Sequence, residues 1–140
     1  MTANMFPVAV LDQRSLNPQE LVEEILQITY PEAQQAYLRD LMPFLNKSDW
    51  DQLAAALKEK ADHLMRADIQ ACLQTAELIG AITGLTGDPT YHALSALALG
   101  NAHVIGLGEF QKGIRYCDEA AAIYEKQERP VDQARTQISK

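Results

Sequence analysis

Basic residues are scarce and scattered in this chain: 12 Lys and Arg stand against 19 Asp and Glu, for a formal net charge of −7. Gathering phosphates requires a cationic face, so nucleic acid is not expected as a partner. Long apolar runs are also lacking. No window approaches the roughly 18 uninterrupted apolar residues of a membrane-spanning helix, so no membrane association is expected. Cysteine is limited to Cys72 and Cys117, 45 positions apart, with neither a C-x-x-C pair nor a histidine at ligand spacing. Two buried thiols are expected, not a disulfide framework or a zinc site. The opening stretch from Met1 to Arg14 has no basic segment followed by an apolar one, which points to the cytoplasm. The 7 glycines and 6 prolines are few, and nearly all fall where helices should start or stop.

What remains is a chain of 140 residues, 47% of them hydrophobic, enough for one domain with a substantial core. Residues 1–16 carry no helical period and read as an irregular arm. Asn17-Pro18-Gln19-Glu20 has the form of a helix start, with a capping side chain and a first-turn proline. Leu21, Val22, Ile25 and Ile28 then recur at helical spacing. Tyr30-Pro31 ends this helix and opens a second, with Tyr37 and Leu41 on its apolar face and Pro43 set to break it. Residues 17–46 thus read as an N-terminal capping helix pair. Ser48, with Asp51 three residues on, reads as the next cap, followed by Trp50, Leu53, Leu57, Ala61 and Leu64. Asp68 caps a helix running from Ile69 to Gly84 or Gly87, apolar over much of its circumference. Asp88-Pro89 restarts the chain for a helix reaching Gly106 or Gly108. The next carries Phe110, Gly113, Ile114, Cys117, Ala120 and Tyr124 on one stripe, and Arg129-Pro130 opens another.

Sliding the sequence on itself by 41 positions places Pro89 on Pro130, Ala93 on Ala134, Gln70 on Gln111 and Ile82 on Ile123. Helix starts, stops and apolar stripes move together, the mark of a stacked repeat. The units are 48–86, 88–127 and a partial 129–140. Within the second unit, Leu99-Gly100-Asn101-Ala102-His103, then Gly108-Glu109-Phe110, then Gly113 and Ala120 seven residues apart, resemble the tetratricopeptide repeat (TPR). The departures are His103 where that family has Tyr, one extra residue before Gly108, and a missing glycine turn in the first unit. The long spacing is similar to helical arrays of large bacterial proteins, where the array precedes a caspase-like (CHAT) peptidase domain. The resemblance implies an all-α fold of antiparallel helix hairpins stacked as a short right-handed solenoid, about seven helices in all. Small residues at Gly100, Ala102, Gly113 and Ala120 would let helices approach closely, while Leu97, Phe110 and Tyr124 fill the gaps.

No catalytic constellation emerges, and the chain is not expected to be an enzyme or to hold a metal or cofactor. His63, His92 and His103 have no second ligand at i+3 or i+4, so a metal site would need distant helices. Cys117 lies mid-helix on an apolar stripe, which suits a core thiol better than a nucleophile paired with His103. Glu23-Glu24 and Asp118-Glu119 are adjacent on helices and point apart. Gly106-Leu107-Gly108 precedes a helix, but Glu109 at its start would repel phosphate.

The expected function is a non-catalytic protein–protein interaction scaffold. It would be the N-terminal region of a larger protein and bind a protein segment, or its own downstream domain, along a face carrying Leu97, Asn101 and Val104. Asn101 matches a TPR position that often bonds a bound peptide's backbone. An unclosed last hairpin predicts self-association through residues 110–138, a homodimer being the simplest closed form. The alternative is a helical sensor domain with a small-molecule pocket near Asn101, His103 and Tyr116.

Overall fold

The computed structural model of the chain describes residues 17–127. Among these, six α-helices follow one another without a strand: α1 (Pro18–Leu26), α2 (Pro31–Leu41), α3 (Lys47–Leu64), α4 (Ile69–Thr86), α5 (Pro89–Asn101) and α6 (Phe110–Lys126). The expected arm over 1–16 and partial repeat over 129–140, which would supply the seventh helix, lie outside the described residues. No helix among the described residues is long and apolar enough to cross a membrane.

Local chemistry sets most boundaries. Asn17 Oδ1 accepts from the Glu20 N–H at 3.1 Å, and Pro18 occupies the first turn of α1. Ile28, expected on this helix, lies just beyond its end. There its carbonyl and that of Ile25 accept from Nε2 of Gln34, at 3.2 and 3.3 Å. Gln34 is buried, so a side chain from α2 adds a donor to the Ile25 carbonyl, which also accepts from the Ile28 N–H, and supplies one to the Ile28 carbonyl. Pro43 stops α2 at Leu41, and a single 3₁₀ turn, Met42–Phe44, follows.

The expected Ser48 cap is corrected: α3 begins at Lys47 and is capped by Asn46. Asn46 Oδ1 accepts from the Asp49 N–H at 2.8 Å, and Asp49 Oδ2 accepts from the Asn46 N–H at 3.0 Å. Both halves of a capping box are present two residues earlier than the Ser-x-x-Asp reading placed them, because Asn46-x-x-Asp49 has the same spacing. Asp68 caps α4 through the Ala71 N–H, and Asp88 caps α5 through the Thr90 N–H. Gly87 closes α4 at φ 78°, a left-handed conformation that a side chain would strain. The α5 helix does not run unbroken to Gly106. Its last turn, Ala102–Gly106, is π-helical, and Gly108 then turns the chain at φ 71°.

Packing follows the chain order. Helix α3 lies against α4, α4 against α5 and α5 against α6, while α1 meets α3, α2 meets α4 and α3 meets α5. The largest apolar cluster joins α1 to α5 through residues such as Ile25, Leu38, Leu53, Ile79 and Tyr91. A second cluster holds Leu97, Cys117, Ala120 and Tyr124 between α5 and α6. A third holds Ala61, Cys72 and Ala102. Both thiols are buried outside any disulfide.

The helices approach most closely where side chains are smallest. A Cβ placed on Gly113 would stand 2.9 Å from the Gly100 carbonyl oxygen, and one on Gly100 would stand 3.0 Å from that of Gly113. This is the close approach expected of that pair. Two members of the α6 stripe depart from expectation, however: Phe110 is 63% exposed and Ile114 36%. Phe110 is the first residue of α6, and neither it nor Ile114 belongs to the cluster of Leu97, Cys117 and Tyr124, so Phe110 fills no gap between the described helices.

Helix boundaries recur at the 41-residue offset. Ile69, the first residue of α4, maps onto Phe110, the first of α6; Pro89, first in α5, maps onto Ser48, one residue inside α3. Burial recurs with them: Trp50 and Tyr91, Ala54 and Ser95, Ala61 and Ala102, and Ala76 and Cys117 are all buried.

Candidate protein-interaction groove

A concavity lies where α1 packs on α3. At 1.5 Å per residue, the 9 residues of α1 reach only half as far as the 18 residues of α3 against which they pack. Helix α1 lies along the C-terminal half of α3, Glu23 against Lys60, and ends beside Leu64, so the turn from Leu26 to Gln34 faces the end of α3 and the start of α4 across a recess. A cavity of about 380 Å³ occupies it, lined by Leu26, Gln27, Ile28, Thr29 and Gln34 on one side and Lys60, Leu64, Ala71 and Gln74 on the other. A smaller hollow of about 160 Å³ continues along α1 and α3, between Gln19 and Val22 on one wall and Ala56, Glu59 and His63 on the other. Glu23 and Lys60 line both, and their side chains bridge the groove at 3.3 Å.

The lining has a consistent chemistry. Val22, Leu26, Ile28, Ala56, Leu64 and Ala71 provide apolar surface, while Gln19, Gln27 and Gln74 offer amides that both donate and accept. Such a surface suits an extended polypeptide, whose backbone alternates donors and acceptors and whose side chains need apolar seats. The Glu23–Lys60 bridge is largely exposed, with 61% and 33% of its side chains accessible. It therefore adds little to stability and can open to exchange partners.

The residues expected to form the binding face lie elsewhere. Leu97 is only 6% exposed and packs in the cluster with Cys117, Ala120 and Tyr124. It serves as core between α5 and α6, because α6 covers the face of α5 that carries it. Val104 is half-buried, with Cγ2 against the position a Gly113 side chain would take. Asn101 is half-buried at the last residue of α5. Leu97 and Val104 thus share the α5–α6 junction rather than an open groove.

The alternative pocket residues are also engaged. The His103 ring stacks on Tyr116, centroids 5.4 Å apart and planes 14° from parallel, and its Nδ1 lies 2.7 Å from Glu109 Oε1. His103 is buried and fastens the turn between α5 and α6. His63 and His92 are exposed, as expected, and His92 pairs with Glu119 across α5 and α6. Among the described residues no group of three His, Cys, Asp or Glu side chains could hold a metal ion. Burial pushes the Cys72 thiol above its ordinary value, which lowers its nucleophilicity at neutral pH.

One polar cluster was not anticipated. Lys47 Nζ lies 2.7 Å from Asp51 Oδ1 and 3.4 Å from Asp88 Oδ2, and 5.3 Å from the centroid of the Tyr91 ring. The Tyr91 hydroxyl donates to Asp51 Oδ1 at 2.6 Å. Asp51 and Asp88 are partly desolvated, which raises a carboxyl, but the hydrogen bonds from Lys47 and Tyr91 to Asp51, and from Thr90 and Lys47 to Asp88, outweigh this and hold both below the usual range. Burial and the bond to Asp51 push the Tyr91 phenol up to about 12. Asp51 drives Lys47 further above neutrality against a smaller effect of burial. All four groups keep their ordinary charge at neutral pH, and the cluster ties the start of α3 to the start of α5.

Compared with protein-family models, with curated proteins and with solved structures, the chain gives no match.

Proposed function

We propose that the chain is a non-catalytic protein-interaction scaffold, a short right-handed TPR-like solenoid of helix hairpins that binds a protein segment in the groove between α1, α3 and the start of α4. The observation that carries the reading is the return of helix boundaries and burial at the same 41-residue offset, from α3 and α4 to α5 and α6. Contacts of first helix with first helix, α1 with α3 and α3 with α5, accompany those within each pair, the connectivity of layered hairpins. The groove adds a place to bind: an apolar floor, amide walls and an openable ion pair, at a size that ligand sites commonly have. With His103 committed to Glu109 and Tyr116, nothing specific favours the small-molecule sensor.

Peptide selection from a random displayed library, followed by NMR mapping of selected peptides on the labelled chain, tests the proposal. Perturbations concentrated at Leu26, Gln27, Lys60, Ala71 and Gln74, weakened by Lys60→Glu, would support it. Selected peptides that bind equally well to Lys60→Glu and leave those resonances unmoved would overturn the groove assignment.

A further inference from the structure

Four of the large apolar side chains exposed among the described residues gather at one turn: Ile105 (55%), Leu107 (42%), Phe110 (63%) and Ile114 (36%). The 41-residue offset gives this patch an internal counterpart. Ile105, Phe110 and Ile114 correspond to Leu64, Ile69 and Leu73, which are not fully exposed but pack around Ala61, Cys72 and Ala102. What covers that earlier set is the end of α5. Ala102 belongs to the cluster, and a Cβ on Gly106 would stand 2.5 Å from Ile69 Cδ1 and 3.5 Å from Met65 Cγ. The cover is thus one turn of helix with alanine and glycine four residues apart, so close that a side chain at the glycine would have to push the tip of Ile69 aside. Nothing among the described residues holds the corresponding place over Phe110 and Ile114.

We infer that the patch is a docking surface for a further hairpin of the same kind, specifically for a helix end that presents alanine and glycine four residues apart. This rests on the repeat reading, since the offset identifies the occupant. Phe110 is larger than Ile69, so the incoming turn must be at least as small as Ala102 and Gly106 are. A second copy of this chain is a poor occupant: its own Ala102 and Gly106 already lie over its own Cys72 and Ile69. A pair of copies could only set the bulky patches against each other. Four partly exposed side chains offer less surface than the roughly 800 Å² per partner that a stable interface buries.

The probe is a synthetic peptide of residues 88–108, which carries the required helix end, added to the full ¹⁵N-labelled chain. Shifts at Ile105, Phe110 and Ile114 are expected, with binding weakened roughly tenfold or more when the peptide carries Ala102→Leu and Gly106→Leu, and similarly when the chain carries Ile114→Glu. The chain-side change falls on an exposed position, and circular dichroism checks that Ile114→Glu stays folded. Equal binding of the leucine peptide, shifts at Ile69 and Leu73 instead (displacement of the chain's own α5), or no shifts at all would overturn the inference. So would concentration-dependent dimerisation that Phe110→Glu abolishes. The Gln27 and Gln74 resonances in the same spectra report the groove separately, so failure at the patch and failure of the groove reading are told apart.

Discussion

Gly113→Ala and Gly84→Ala make the same chemical change in two helices, α6 and α4, and the structure gives them opposite signs. At Gly84, in α4, an added Cβ meets nothing within 4 Å. The substitution there trades a flexible residue for the best helix former and should stabilise the fold by about 0.5–1 kcal/mol. At Gly113, in α6, the same methyl would lie 2.2 Å from Val104 Cγ2 and 2.9 Å from the Gly100 carbonyl oxygen. The valine is stiff about its first torsion, and the carbonyl belongs to the backbone of α5, so relief requires the two helices to move apart by about half an ångström. Overpacking of this kind costs about 1–3 kcal/mol, and the propensity gain recovers at most about 1 kcal/mol. The net expectation is a loss of about 1–2 kcal/mol, a fall in Tm on the order of 5–10 °C for a domain of this size. Thermal and urea unfolding followed by far-ultraviolet circular dichroism measure both variants. If Gly113→Ala were as stable as the wild type or more so, the close α5–α6 crossing would be refuted.

The same assay distinguishes the two candidate caps of α3: Asn46→Ala should cost about 1 kcal/mol, while Ser48→Ala should change stability by no more than about 0.5 kcal/mol. Gln34→Leu removes the buried side-chain donor that the Ile25 and Ile28 carbonyls share, leaving Ile25 only its backbone bond from Ile28, and should cost about 1–3 kcal/mol; an unchanged urea midpoint would contradict this role. Tyr91 predicts an alkaline limb. Its folded pKa of about 12 lies above the unfolded value of 10.0, so the stability it contributes is complete below the unfolded value and is lost as pH rises from there through the folded value. Tyr91→Phe should flatten that limb in urea midpoints measured across alkaline pH, and an unaltered slope would count against the Asp51 bond.

The parts of this fold that were legible in the sequence are those governed by local chemistry. Asn17-Pro18, Asp68 and Asp88-Pro89 cap helices because their side chains reach only two or three residues onward. The Gly100–Gly113 approach was readable because only small residues permit it. Asn46 and Ser48 offered the same cap spacing two residues apart, and nothing local ranked them. Exposure of Phe110 depends on what lies across from it, which a stripe of apolar residues does not reveal. Leu97 was assigned to an open face because the stripe on α5 does not say which side α6 takes. The groove went unseen for a related reason. It arises where the turn from Leu26 to Gln34 faces the end of α3 and the start of α4, segments far apart in the sequence. The tie from Lys47 to Tyr91 joins residues 44 apart, beyond any local pattern.

Tandem duplication of residues 47–87 within the chain tests the repeat architecture most directly. In a layered array, stability is close to a sum of unit and neighbour terms, so an added unit should find the same kinds of neighbour on both sides. The account predicts unchanged ellipticity per residue, one cooperative transition with Tm no lower than the wild type's, and a particle lengthened along one axis in small-angle scattering. Loss of cooperativity with a drop in helix content per residue would mean that the helices surround a single common core, and would contradict it.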